Sequence, residues 1–151
     1  LLEKLSILGL RRVKILGDGN CFFRAVSNQL YDRQSNHMQL RTAAVNEIAK
    51  NKDHFSSFST SDNNDINQYI GRMRRNGTYA DHLAIKATAI VVKRNIVIHR
   101  YNDKPSLVPS SADHLQQIHI AYDRDHRHYD SVRALNGSIP QLPTTDVRMI
   151  D

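Results

Sequence analysis

Hydrophobic periodicity in this 151-residue chain changes at Asn95, and that change limits the folds open to it. Before Asn95, apolar residues recur three and four positions apart, the spacing of a half-buried helix. Phe22, Val26 and Leu30 make one stripe, and Leu40, Ala44, Val45 and Ile48 a second. Ile66, Tyr69, Ile70 and Met73 make a third, and Leu83, Ala87, Ile90 and Val91 a fourth. Start and stop signals fit these stripes: Ser35 or Asn36 before the second, Gly77 after the third, Asp81 before the fourth. After Asn95 the apolar residues come in short β-branched runs, so residues 95–101, 117–122 and 128–133 read as strands. Residues 12–16 alternate and read as a further short strand, behind a helix over residues 1–8. Helices first and strands later predict an α+β domain, a small mixed β-sheet flanked by helices. Residues 1–10 are expected to be an N-terminal helix or extension, 11–135 the main domain, and 136–151 a loosely structured tail. Leu1 is not an initiator methionine, so the chain is expected to be part of a longer protein.

A single cysteine excludes an internal disulfide and any cysteine-rich zinc site, and it suits a reducing compartment, the cytosol or the nucleus. No apolar run has the length of a membrane span and no signal-peptide pattern opens the chain. The net charge of +6 raises a nucleic-acid reading, but the basic residues are scattered and form no long run. They read as a solvated surface. His114, His119, His126 and His128 match no helical zinc spacing, and no metal or other cofactor is expected.

That cysteine, Cys21, follows Gly17-Asp18-Gly19-Asn20 and opens the first apolar helix. A thiol on the first turn of a helix feels the positive end of the backbone dipole and neighbours unpaired N–H groups. Both favour thiolate. Flexible glycines let the amides of Asp18, Gly19, Asn20 and Cys21 point at a developing oxyanion. The loop lacks the lysine and hydroxyl residue of a phosphate-binding loop and the oxygen ligands of an EF-hand.

A thiol nucleophile needs a base, and the base needs an orienting partner. His128-Tyr129-Asp130 supplies both on one strand, because residues two apart face the same side. The readings of a different class are a nucleic-acid-binding or scaffold module with an inert, buried thiol.

The stretch GDGNCFFRAVSNQL, followed by IHIAY and then HYDSV, resembles the ovarian tumour (OTU) family of cysteine proteases. The resemblance runs from about Arg11 to Arg133 and includes HMQLRTAAVNEI and GTYADHLAIKATAIVVKRNIVIHRY. It implies a papain-like fold, no cofactor, and hydrolysis of the isopeptide bond between ubiquitin's terminal glycine and a lysine. It also implies Cys21 as nucleophile, His128 as general base, Asp130 as its orienting residue, and Asp18 as the acidic residue counted with the site. The expected partner is ubiquitin or polyubiquitin, or else a ubiquitin-like modifier, met by a monomer in the cytoplasm, in the nucleus, or in a host cytosol. Neither nucleic acid nor membrane is an expected partner. Phe22 stands where leucine is common in the family, and Tyr79 where many relatives carry tryptophan. Residues 53–80, with the serines of 56–61 and Arg72-Met73-Arg74-Arg75, are expected to grip the ubiquitin body.

Overall fold

The computed structural model describes residues 2–58, 65–101, 103–110, 116–143 and 146–150. His114 and the serine-rich residues 59–61 lie outside them. Among the described residues, six helices and six strands follow in the order α1 (Leu2–Ile7), β1 (Leu10–Val13), α2 (Cys21–Tyr31), α3 (His37–Lys50), α4 (Lys52–Ser56), α5 (Ile66–Met73) and α6 (His82–Val92). Then come β2 (Asn95–His99), β3 (Ser106–Val108), β4 (Gln117–Asp123), β5 (His128–Ala134) and β6 (Arg148–Met149). The strands form one mixed sheet in the order β1-β5-β4-β2-β3-β6, with β2 and β4 parallel and β4 and β5 antiparallel. Among the described residues, no helix is long and apolar enough to cross a membrane.

Capping chemistry sets several helix ends. The Asp65 carboxylate accepts from Asn67 N and Gln68 N at the start of α5, and Asp81 accepts from Ala84 N at the start of α6. Asp32 and Lys93 end α2 and α6 in the left-handed conformation. The front of the sheet carries Ile96, Ile98, Ile118 and Ile120, which pack with the apolar stripes of α2, α3 and α6 into the main core. The opposite face buries Val97, His99, His119 and Ala121.

This second face corrects the expectation of a loose tail. Val147 and Leu142 pack on Val97 and Leu107, and β6 adds in parallel to β3. Gln117 donates to Leu142 O and accepts from Leu142 N, so the tail is bound to the sheet by side-chain hydrogen bonds as well. Two strands, β3 and β6, were not expected from the sequence. The N-terminal strand covers residues 10–13 rather than 12–16, because the N–H of Ile15 leaves the sheet and donates to the Asp130 carboxylate at 2.7 Å.

His99 and His119 form a buried pair under this tail. His99 Nε2 lies 2.9 Å from His119 Nδ1, and His119 Nε2 lies 3.0 Å from Gln117 Oε1. Because Gln117 Oε1 can only accept, the chain of donors runs from His99 through His119 to Gln117, and both rings are neutral. Burial holds His99 down at about 4 and His119 at about 3. Their ordinary value is near 6.5, so the unfolded chain binds two protons that the fold refuses. The stability they contribute is complete above pH 6.5 and is lost as pH falls toward 4. Denaturant titration is expected to show a loss of about 3 kcal/mol between pH 6.5 and pH 5, where carboxylates hardly titrate. A flat profile over that interval would contradict the neutral pair.

Candidate active site

Cys21 is the first residue of α2, whose apolar face packs on the sheet. Gln29, two turns further on, fixes the helix against two strands. Its Nε2 donates to Ser131 Oγ and Val132 O, and its Oε1 accepts from His119 N at 2.7 Å. This buried amide sets how the thiol end of α2 meets β5. Phe22 and Tyr129 pack edge to face at 5.5 Å across the same junction. The backbone of Tyr129, one residue along from His128, lies close enough to the Cys21 thiol to favour its ionised form.

His128 and Asp130 share one side of β5, as the two-residue spacing requires. His128 Nε2 stands 2.7 Å from Asp130 Oδ1. The carboxylate accepts there, so Nε2 carries the proton of the neutral ring and Nδ1 keeps its lone pair. Asp130 is itself held: Oδ1 accepts from Ile15 N, and Oδ2 faces the Arg12 guanidinium at 3.4 Å. The orienting carboxylate is therefore fixed by β1 and the residues that follow it.

The Asp18 carboxylate turns inward on its own loop. It accepts from Asn20 N at 2.9 Å and from Asn20 Nδ2, and it meets the Arg24 guanidinium with both oxygens. Burial pushes this carboxyl up, but hydrogen bonds from Arg24 and Asn20 and the charge of Arg24 outweigh it and leave it below its usual value.

Of the four loop amides expected to face an oxyanion, three already donate within the loop. Asp18 N donates to Leu16 O, Asn20 N to Asp18 Oδ1, and Cys21 N to Asp18 O. Of these four amides, the Gly19 N–H is the one with no acceptor among the described residues. The two glycines also differ. A Cβ on Gly17 would meet nothing within 4 Å, whereas one on Gly19 would lie 1.7 Å from the carbonyl oxygen of Gly77. Gly19 serves close approach to a second loop, and Gly77, at φ +88°, turns that loop toward it.

The thiol departs from the sequence-based expectation of an acidic cysteine. Cys21 is buried, and burial pushes the thiol above its ordinary value, with the charge of Asp18 adding to the effect. The N–H groups of Tyr129 and Phe22 oppose this only in part. The helix terminus is present, but dehydration outweighs it.

An open cleft of ≈ 500 Å³ runs beside this arrangement, lined by Gly17, Asp18 and Gly19 on one side and Tyr79, His126, Arg127 and His128 on the other. The Tyr79 ring stacks on Tyr129, and the Arg127 guanidinium lies 4.8 Å from its centroid, forming an aromatic rim. Two polar residues missed in the sequence support the site: Gln29 and the fully buried Arg41. Both fall on the apolar stripes of their helices, Gln29 seven after Phe22 and Arg41 four before Val45, which is the signal that could have found them. Among the described residues, no group of three or more His, Cys, Asp or Glu side chains is placed to hold a metal ion. His119 lies inside the sheet, far in role from the cleft-lining His126 and His128.

A thiol at the start of α2, which packs on β5, and an imidazole on β5 oriented by a strand carboxylate are the parts from which a cysteine protease site is built. The family model for OTU-like cysteine protease matches residues 16–129, so the chain belongs to that family. It is 34% identical over 132 residues, 87% of its length, to the OVARIAN TUMOR DOMAIN-containing deubiquitinating enzyme 7 of Arabidopsis thaliana. It spans 35% of the length of that relative. Among solved structures, the OTUD1 OTU domain superposes with a TM-score of 0.76 at 26% identity, covering 87% of this chain and 91% of the other. A second OTU domain, solved in complex with ubiquitin, superposes with a TM-score of 0.69 at 18% identity over 91% of this chain and 79% of its own. The α+β architecture and the OTU fold read from the sequence are thus both present.

Proposed function

We propose that this domain hydrolyses the isopeptide bond between the C-terminal glycine of ubiquitin and a lysine, through a thioester on Cys21. The observation that carries the proposal is the junction of α2 and β5. There the helix that begins at Cys21 packs on the strand that carries His128, and Asp130 leaves His128 with a basic nitrogen. Family membership and an OTU relative bound to ubiquitin support the choice of substrate.

In this mechanism the buried thiol reacts as a thiol rather than as a preformed thiolate. His128 takes the Sγ proton as sulfur attacks the glycine carbonyl, and Asp130 stabilises the imidazolium that forms. The oxyanion is held by the Gly19 N–H, a donor of a kind that contributes about 3–4 kcal/mol. His128 then protonates the lysine amine as the C–N bond breaks, leaving the thioester. Water, deprotonated by His128, hydrolyses it and returns Cys21 to the thiol. Asp18 braces the loop: its charge is spent on Arg24 and Asn20, so it does not oppose the oxyanion. The cleft between Gly17–Gly19 and the Tyr79–Arg127 rim suits an extended, glycine-ended tail. The domain would act as a monomer in a reducing compartment, where one unpaired thiol stays usable.

Hydrolysis of the eight diubiquitin linkages, run beside fusions of ubiquitin-like modifiers, tests the substrate. Release of ubiquitin from at least one linkage is the expected result. Cleavage of a modifier fusion alone would move the substrate to that modifier, and cleavage of nothing would sink the reading.

A further inference from the structure

Arg41 is an expensive residue to place where α3 has it. Its side chain is fully buried, and no carboxylate among the described residues lies within ion-pairing distance. Burial alone pulls its guanidinium below the usual value. A leucine or methionine at this point of the apolar stripe would pack without that cost, since an uncompensated buried charge is strongly destabilising. What the guanidinium does instead is bridge three backbone segments. One nitrogen donates to Met73 O at 2.9 Å. The other donates to Asn20 Oδ1 at 2.8 Å, to Thr78 O at 2.8 Å and, more weakly, to Gly19 O at 3.4 Å. Its flat face rests on the Phe23 ring at 4.6 Å.

These acceptors belong to the two loops that approach most closely at the site. Asn20 Oδ1 is shared between Arg41 and Gly77 N, while Asn20 Nδ2 donates to Asn76 Oδ1. The same Gly77 offers the carbonyl against which no residue but glycine fits at position 19. Arg41 thus holds the Gly19–Asn20 peptide unit, directly after the unengaged Gly19 N–H, and is in contact with both loops that fix it.

We propose that Arg41 is a positioning residue for oxyanion stabilisation. It pins Asn20 and the 73–78 turn in the one arrangement that keeps the Gly19 N–H free for the cleft. The inference rests on the protease reading above. It predicts a specific division of effects: steps that build an oxyanion suffer when Arg41 changes, and steps that need only the thiol do not. Lysine keeps the charge but cannot span three acceptors in one plane, so Arg41→Lys separates charge from geometry.

The experiment compares the unmodified domain, Arg41→Lys and Asn20→Ala with three ubiquitin derivatives: a C-terminal fluorogenic amide, a C-terminal aldehyde and a C-terminal haloalkyl alkylator. For Arg41→Lys, kcat on the amide is expected to fall at least about 30-fold with KM within about threefold, below the full loss of an oxyanion donor. Affinity for the aldehyde, whose hemithioacetal carries the oxyanion, falls in parallel. Alkylation, which makes no oxyanion, stays within about threefold. Equal losses in alkylation, or an unchanged aldehyde affinity, would overturn the proposal. If Arg41→Lys shows no thermal unfolding transition, Asn20→Ala, which removes the shared acceptor from the loop side, must show the same division; failure to do so overturns the proposal as well. An unmodified domain inert to the amide would instead refute the protease reading, and the role of Arg41 with it.

Discussion

Gly19→Ala is expected to cut turnover by about 10²–10³-fold. The new methyl group would stand 1.7 Å from Gly77 O, 2.5 Å from its carbonyl carbon and 3.0 Å from its Cα. These are backbone atoms, so no side chain can swing aside. One of the two loops must move, and each is tied down, the first through Asn20 and the second through Arg41. Overpacking of this kind costs about 1–3 kcal/mol or more in stability. The larger effect falls on chemistry: of the four amides expected to face the oxyanion, displacing Gly19 removes the one without an acceptor, a loss of about 10²–10³ in kcat. Gly71→Ala is the control. Its Cβ would meet nothing within 4 Å, on an exposed position of α5, and it should gain a few tenths of a kcal/mol from lower unfolded-state entropy. Turnover of Gly19→Ala within tenfold of the unmodified domain would mean that the two loops part easily and that the oxyanion is held elsewhere.

His128→Ala should lose at least about a hundredfold in kcat, the usual scale for a general base. The buried, raised thiol makes this loss steeper near neutral pH, because without a base little Cys21 ionises. Raising the pH should therefore restore part of the rate to His128→Ala but not to the unmodified domain. Asp130→Ala should lose less in rate and more in stability, since it strands the Ile15 N–H and removes the partner of Arg12. Near-normal turnover of His128→Ala would transfer the base to another histidine, with His126 the neighbour in the cleft.

Much of this site was legible in the sequence because its chemistry is local. The loop before Cys21 and the His128–Asp130 pair each need only a few consecutive residues, and strand alternation places the pair on one side. Helices α2, α3, α5 and α6 follow from apolar spacing and caps such as Asp81. What escaped depends on distant partners. β3 and β6 are three and two residues long, too short for a periodic signal, and they exist because β3 finds β2 and β6 finds β3. Asp18 is counted with the site by resemblance, but the partners of its oxygens, Asn20 and Arg24, appear only once the loop is folded. The two glycines of the loop read alike until Gly77 is brought against one of them. Arg41 and Gln29 were hidden by their own polarity: each sits on an apolar stripe, where a polar residue interrupts the pattern it belongs to.

The central claim is that Cys21, with His128, attacks the C-terminal carbonyl of ubiquitin. Ubiquitin carrying a thiol-reactive group at its C-terminus tests this most directly, read by mass and by peptide mapping. One covalent adduct is expected, on Cys21, formed by the unmodified domain and absent from Cys21→Ala. An unmodified domain that folds, keeps its thiol accessible to iodoacetamide, and still forms no adduct would contradict it.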